Sequence, residues 1–550
     1  MPRPKAPTPP ASNGDGIDTV AFFTLGCPQN LVDSEKMLGL RAQDGMTPVQ
    51  YDLTEQGEQV DAIVVNTCGF LEASKDESLQ VIHEAIEKKS AGQIKRVVVA
   101  GCLVQRHRAK MLEWAPGIDA MVGVFDRDKI VQAVRGLTPH ARQQRHTKAT
   151  DAAEQPKYWI NANALTAAAE RGVQTVGLTV QGQDGKGIGY FEDDSARLRL
   201  TPRHYGYLRI SEGCNQRCTF CTIPSIRGKM RSKPIDRILL EAKELIADGC
   251  FEINLIGQDT TSYGQDIGIG MDEQGLGGMP TMLRTVSKAF DELGVADGWV
   301  RLMYAYPSNF TPPMMRAIAA TPRVLRYIDM PLQHASDKML ASMRRNITIA
   351  QTRTLLDQLR TLVPGIALRT TFISGFPGES EDDHKQLLEF VAEQAFENLG
   401  VFEYSMEPGT VAGTMEQDKA LAVPAEIKAR RREEVMQLQQ QIALKRQEAR
   451  AAKFDEKNPL GTGLRLDVLI DAPLRAHGRA TPGVGAGGGL YSGRTYAQAP
   501  QIDSVTFVQS KKPLAPGEVV RCVVVAADGY DLVAKPAEEL DRRVSLKVMK

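Results

Sequence analysis

Cys214-Asn215-Gln216-Arg217-Cys218-Thr219-Phe220-Cys221 follows directly on the apolar run Tyr207–Ile210, and the reading of that junction decides the fold. Three thiols within eight residues converge on one inorganic centre only from a loop, because a helix or strand would scatter them. Tyr207–Ile210 is the first of six candidate strands, followed by Glu252–Ile256, Val300–Tyr304, Tyr327–Met330, Leu368–Ile373 and Val401–Tyr404, each leading into a helical stretch or a Gly/Pro turn. Six such units predict a βα barrel short of the usual eight. After the first strand Pro234 opens a helix, Ile238, Ala242, Leu245 and Ile246 repeat at helical spacing, and Gly249 closes it. Active sites of βα barrels sit at the carboxyl ends of the strands, where the cysteine loop begins.

Two chemistries suit three clustered cysteines. One is zinc completed by a distant residue such as His204; the other is an iron–sulfur cluster with three protein thiolates and one open iron. Zinc sites more often pair two CxxC elements, which this loop does not.

Outward toward the N-terminus, Val20–Leu25, Ala62–Val65 and Arg96–Ala100 alternate with helix-like Ser34–Arg41 and Glu77–Lys88. That is the pattern of an open parallel α/β sheet. Cys27, Cys68 and Cys102 each follow one of these strands beside a glycine. Ligands of open parallel sheets bind beyond the carboxyl ends of the strands, so the three predict a second three-thiolate site. Cys250, at a helix end, and Cys522, inside a strand, are expected to pack.

Toward the C-terminus a charged helix is expected from Ala425 to about Phe454, carrying the chain away from the barrel. Leu464–Ile470, Ser504–Val508, Glu518–Val525 and Asp531–Ala534 then predict a small antiparallel β-barrel, with Gly483–Gly489 as a flexible turn. The fold class is therefore α/β with a C-terminal β-barrel. The expected divisions are a disordered Pro-rich tail at 1–17, an α/β domain at 18–136, a linker or insertion at 137–200, the barrel at 201–436, the connecting helix and small barrel at 437–536, and an extension at 537–550. Gly264–Gly278 is expected to be a surface loop.

Composition narrows the setting. The chain has 550 residues, 42% hydrophobic and 24% charged, and its 67 Lys+Arg balance 67 Asp+Glu. No apolar run approaches the ~18 residues that span a bilayer, so no membrane partner and a cytoplasmic location are expected. In that reducing compartment eight cysteines favour metal or redox chemistry over disulfides.

The Cys-x3-Cys-x2-Cys loop with a six-strand barrel resembles the radical S-adenosylmethionine superfamily over about Pro202 to Val435. The order of all three modules resembles the methylthiotransferases, whose C-terminal module is a TRAM domain. Within that family Leu25-Gly26-Cys27-Pro28-Gln29-Asn30-Leu31-Val32-Asp33-Ser34-Glu35, Pro331-Leu332-Gln333-His334-Ala335-Ser336 and Gly493-Arg494-Thr495-Tyr496-Ala497-Gln498-Ala499-Pro500 are similar to the protein-directed branch, which methylthiolates the β-carbon of an aspartate in small-subunit ribosomal protein S12. The resemblance implies two [4Fe-4S] clusters, on Cys27/Cys68/Cys102 and on Cys214/Cys218/Cys221. It implies S-adenosylmethionine on the second cluster, touched by Phe220, Gln258 and Gly375, with no further catalytic side chain. It also implies S12 as partner, free or in the small ribosomal subunit, an electron donor such as flavodoxin or ferredoxin, and a sulfur donor. The sequence motifs Ile256-Gly257-Gln258-Asp259-Thr260 and Ile373-Ser374-Gly375-Phe376-Pro377-Gly378-Glu379 are expected around the same pocket.

Two other functions stay in competition. A tRNA adenosine methylthiotransferase would share every motif class, yet from Gly461 to Lys535 eight basic residues face six acidic ones, a weak field for phosphates. A non-catalytic iron–sulfur or zinc factor associated with the ribosome would keep the cysteines and make no radical.

Overall fold

The computed structural model describes residues 16–53, 59–108, 110–136, 159–161, 193–271, 277–474 and 489–541. Residues 1–15 of the tail expected at 1–17, most of the 137–200 stretch, part of the Gly264–Gly278 loop, the 483–488 turn and the extension beyond 541 lie outside them; Ile17 corrects the end of that tail, being buried in the core of the N-terminal sheet.

The N-terminal sheet is built from β1 (Thr19–Thr24), β2 (Thr47–Pro48), β3 (Ala62–Thr67), β4 (Arg96–Gly101), β5 (Ala120–Val122) and β6 (Trp159–Asn161), all paired in parallel in the order β2-β1-β3-β4-β5-β6. Alternation places Ile63, Val65, Val97 and Val99 in one core and Ala62, Val64, Val98 and Ala100 in the other, so β3 and β4 are covered on both faces. β2, β5 and β6 are strands of two or three residues that pattern reading missed, and β6 comes from the stretch expected to be a linker. The first helix runs over Pro28–Gln43 and not from Ser34. Pro28 sits where a proline starts a helix well, and the polar first turn is hidden by partners far along the chain.

The central unit continues with β7 (Tyr205–Arg209), the paired two-residue strands β8 (Ser211–Glu212) and β9 (Arg231–Ser232), then β10 (Glu252–Ile256), β11 (Trp299–Leu302), β12 (Val324–Asp329), β13 (Ala367–Ser374) and β14 (Asn398–Glu403). Six of these form a parallel sheet in the order β14-β13-β12-β11-β10-β7 with no seam joining its two ends. The helix Ile235–Ala247 buries the predicted Ile238, Ala242, Leu245 and Ile246. Within the Gly264–Gly278 stretch, Asp266 accepts bonds from the Ser232 amide (2.8 Å) and hydroxyl (2.6 Å), which ties this loop to β9.

The last unit is a closed barrel, β15 (Arg465–Leu474), β16 (Gly489–Arg494), β17 (Thr506–Ser510), β18 (Val519–Asp528) and β19 (Asp531–Pro536), in the order β15-β16-β17-β19-β18. Its core holds Val468, Ile470, Tyr491, Val508, Cys522 and Ala534. One seam corrects the antiparallel expectation: β17 and β19 pair in parallel, because the hairpin from β18 returns β19 in the direction of β17.

The helix Ala425–Ala451 does not carry the chain away from the barrel. Val435 is buried in the barrel core, Gln439 Nε2 donates to the Phe396 carbonyl at 3.1 Å, and Gln447 Nε2 donates to the Tyr530 carbonyl at 2.8 Å. This helix straps the two barrels together. The small barrel seats on the amino ends of the central strands. Arg494 joins Glu252, at the start of β10, to Asp471 (2.8 Å), and Arg301 holds Glu252 at 2.7 Å and the Tyr496 carbonyl at 2.7 Å. Ala499 is fully buried in that seat.

Candidate functional site

Cys27, Cys68 and Cys102 follow β1, β3 and β4, three adjacent strands, at their carboxyl ends. Two glycines permit the close approach. Gly26 has φ +91°, and a Cβ there would lie 2.7 Å from Cys68 Cβ; Gly101 has φ +97°, and a Cβ there would lie 2.3 Å from Asn66 Oδ1. Asn30 pins the loops together by donating to the carbonyls of Leu25 and Thr67, both at 2.9 Å. Its Oδ1 lies 3.5 Å from Cys102 Sγ. Burial pushes the Cys102 thiol up to about 12, and the nearby Arg227 guanidinium only partly opposes it; burial raises Cys68 as well.

The second triplet lies on the loop between β8 and β9. That ladder closes the loop at its base, and the Cys214 amide bonds the Gly228 carbonyl at 3.1 Å. The Thr219 amide donates to the Met343 carbonyl at 3.2 Å and the Ala412 amide donates to the Thr219 carbonyl at 3.0 Å, so the loop is gripped from both sides. Burial pushes Cys214 and Cys221 up to about 12. The Gln216 amide points at Cys214 Sγ (3.4 Å), and Arg345 Nη1 points at Cys218 Sγ (3.4 Å).

A cavity of about 160 Å³ opens beside this loop, lined by all three cysteines, Phe220, Gln258, Tyr304, Tyr306, Gln333 and Arg345. Phe220 and Gln258 are thus brought to the cysteines. Gly375 is not among the residues that line this cavity. Its φ is +72°, its amide bonds Glu379, and a Cβ there would strike the Lys428 side chain at 2.2 Å, so the long helix packs closely against this position. Phe70, two residues after Cys68, lines the same cavity, and Arg106 ties the Gly69 carbonyl (2.9 Å) to Glu407 (2.9 Å) beyond β14. The loop that carries Cys68 thus reaches the cavity of the barrel cysteines through Phe70.

Several residues of this cleft were not found by sequence reading. Tyr304 (φ +59°) and Gln333 (φ +73°) both hold left-handed backbone at the ends of β11 and β12, a conformation costing about 1–2 kcal/mol for a side-chain-bearing residue. The barrel rule could have found them, since both follow a strand at its carboxyl end. Arg345 stacks over the Tyr306 ring, 4.2 Å from its centroid, and donates to the Pro331 carbonyl at 2.6 Å. Nothing in its local sequence marks it.

The donor sets fit iron–sulfur clusters better than a single ion. No three His, Cys, Asp or Glu side chains among the described residues close on one metal ion, whereas a four-iron cluster gives each thiolate its own iron. Iron would also supply the positive charge needed to deprotonate thiols that burial holds neutral. His204 cannot complete a zinc site here. It precedes β7, at the far end of that strand from Cys214, and bonds Asp471 of the small barrel at 2.8 Å. Room for a polar ligand is marked by Gln258 Oε1, a buried cavity-lining atom without a hydrogen-bond partner. Cys250 donates to the Glu252 carbonyl at 3.0 Å and Cys522 lies in the small-barrel core, both as expected for packing.

The Uncharacterized protein family UPF0004 matches residues 19–123, the Radical SAM superfamily residues 208–391 and the TRAM domain residues 463–536. Ribosomal protein uS12 methylthiotransferase RimO of Desulforamulus reducens is 35% identical over 526 residues, covering 95% of this chain and 100% of that one. The chain belongs to the RimO family. A RimO of Anaeromyxobacter sp. (strain K) is 38% identical over 94% of this chain and 92% of its own. Among solved structures, the radical S-adenosylmethionine methyltransferase TsrM of Kitasatospora setae is similar at a TM-score of 0.47 and 15% identity, over 72% of this chain and 74% of that one. Membership in the RimO family makes this chain a radical S-adenosylmethionine methylthiotransferase. No helix among its described residues is long and apolar enough to cross a membrane.

Proposed function

We propose that the protein adds a methylthio group to the β-carbon of an aspartate in ribosomal protein S12, in the cytoplasm. In this reading Cys27, Cys68 and Cys102 hold one [4Fe-4S] cluster, and Cys214, Cys218 and Cys221 hold the other together with S-adenosylmethionine. The observation that carries it is that Phe70, two residues after Cys68, lines the cavity of the barrel cysteines. When bound, these groups supply a 5′-deoxyadenosyl radical on one side and a sulfur-bearing site on the other.

The chain's own residues do the rest. Phe220 and Gln258 bind and orient the S-adenosylmethionine, with Gln258 held by Glu212 at 3.3 Å. Tyr304 and Gln333, fixed by their strained backbone, shape the wall against which the substrate carbon is held. Arg106 and Glu407 hold the two domains across the mouth, keeping both sites at one distance from the substrate. A low-potential one-electron donor of the flavodoxin or ferredoxin class and a separate sulfur donor complete the system. The working divisions are 18–136, 201–436 and 437–536 for the α/β, radical and TRAM units. A protein substrate is favoured over tRNA because the relatives similar over nearly the full chain are named as ribosomal protein uS12 methylthiotransferases.

Anaerobic reconstitution tests the reading. The expected result is roughly eight iron per chain, 5′-deoxyadenosine on adding dithionite and S-adenosylmethionine, and a methylthio mass gain on one aspartate of S12. Replacement Cys68→Ala should abolish the mass gain and leave 5′-deoxyadenosine formation. Absence of 5′-deoxyadenosine from the intact protein, or modification of a tRNA adenosine in place of S12, would overturn it.

A further inference from the structure

Each cysteine triplet receives one buried guanidinium. Arg345 Nη1 lies 3.4 Å from Cys218 Sγ, and Arg227 Nη2 lies 3.3 Å from Cys102 Sγ. The second contact is the unexpected one, because Arg227 belongs to the barrel. It ends the short helix Ile223–Arg227 that follows Cys221, and it crosses the domain boundary to reach the other triplet. Arg227 is 1% exposed and is held from several sides: Nη1 donates to Glu212 at 2.9 Å, and Nη2 to Asn30 Oδ1 at 2.6 Å and to Asp33 at 3.2 Å. Asp33 is shared with Arg127 and Arg209, and Glu212 with Arg209. The carboxylates around Arg227 are thus already engaged by other cations. Within this network Nη2 still reaches the Cys102 sulfur.

We propose that Arg227 is a positioning residue that sets the reduction potential of the N-terminal cluster, as Arg345 does for the barrel cluster. This rests on the two-cluster reading above. A cluster on three thiolates is anionic and gains one further negative charge when an outside donor delivers an electron. A fixed guanidinium donating to a ligand sulfur in a water-poor site favours that more negative state. Arg227 also ties the two sites together, because the Glu212 that holds it is the residue that holds Gln258 in the barrel cavity.

The test is a mediated redox titration of the reconstituted full chain, followed by electron paramagnetic resonance, with iron and thermal unfolding measured on the same samples. In Arg227→Gln the midpoint of the N-terminal cluster should fall by a tenfold change in the one-electron equilibrium or more, about 59 mV, while that of the barrel cluster stays. Arg345→Gln should do the reverse. Arg227→Lys keeps a charge beside Asp33 and Glu212 if the glutamine variant does not fold. It should lower the same midpoint in the same direction, because one ammonium cannot serve both Cys102 and Glu212. An unchanged N-terminal midpoint in either folded variant with about eight iron bound, or equal shifts of both clusters, overturns the proposal. About four iron in the wild-type chain would instead overturn the two-cluster reading on which it stands.

Discussion

At Gly26 the added methyl of an alanine would sit 2.7 Å from Cys68 Cβ and 3.0 Å from its Sγ, on a backbone at φ +91°. Neither strain nor overlap can be relieved without moving one loop of the N-terminal triplet. Gly26→Ala is therefore expected to lower reconstituted iron from about eight toward about four per chain, with the barrel signal retained in the paramagnetic resonance spectrum. Unchanged iron would show that the loop yields. The same scale explains what could be read of the site. All six clustered cysteines stand out in the sequence, three by spacing and three by following strands. Asn30, Arg227 and Arg345 do not, because what gives each its role is a partner 36 to 197 positions away, and no local pattern encodes such a pairing.

Among the elements, the amino ends of β1 and β3 are joined by one carboxylate. Asp61 accepts from the amides of Asp18 (2.8 Å) and Thr19 (2.9 Å) and pairs with Lys95 at 2.7 Å. Burial alone would raise this carboxyl, but Lys95 and the donors of Asp18 and Thr19 outweigh it and hold it at about 2, below the usual 3.8. A depressed carboxylate stabilises the fold above its unfolded value and loses that contribution as pH falls toward the folded one. Urea unfolding of Asp61→Asn should therefore show a deficit at pH 7 that narrows as pH falls from about 4 toward 2; a constant gap would exclude the linkage. Strands such as β10 were legible to the residue because their apolar run ends at a glycine, Gly257. The long helix Ala425–Ala451 was legible as a helix and misplaced in space. Its buried face includes Lys428, Arg431 and Gln439, whose polar ends reach Glu416, the Glu379 carbonyl and the Phe396 carbonyl. A face of that composition looks solvated from sequence alone.

Across the whole molecule the central barrel is occupied at both ends, by the cysteine cleft at the carboxyl end and by the TRAM module at the amino end. Arg494 is 2% exposed and clasps Glu252 and Asp471. Removing one member of a buried pair typically costs about 3–5 kcal/mol, so Arg494→Ala should release the small barrel as a separate, earlier unfolding transition in calorimetry, with both clusters retained. A single unshifted transition would mean the seat is held by other contacts. At the opposite junction Asp33, Asp194, Glu212 and Glu241 interlock with Arg127, Arg209, Arg227 and Lys233, four charges of each sign buried between the α/β sheet and the barrel. This lattice of pairs also has a consequence for biogenesis. Domains emerge in order during synthesis, and Asp33 and Cys102 are made long before Arg209 and Arg227 can reach them. The N-terminal cysteines thus acquire their finished electrostatic surroundings only after the barrel's first strand and its cysteine loop have left the ribosome.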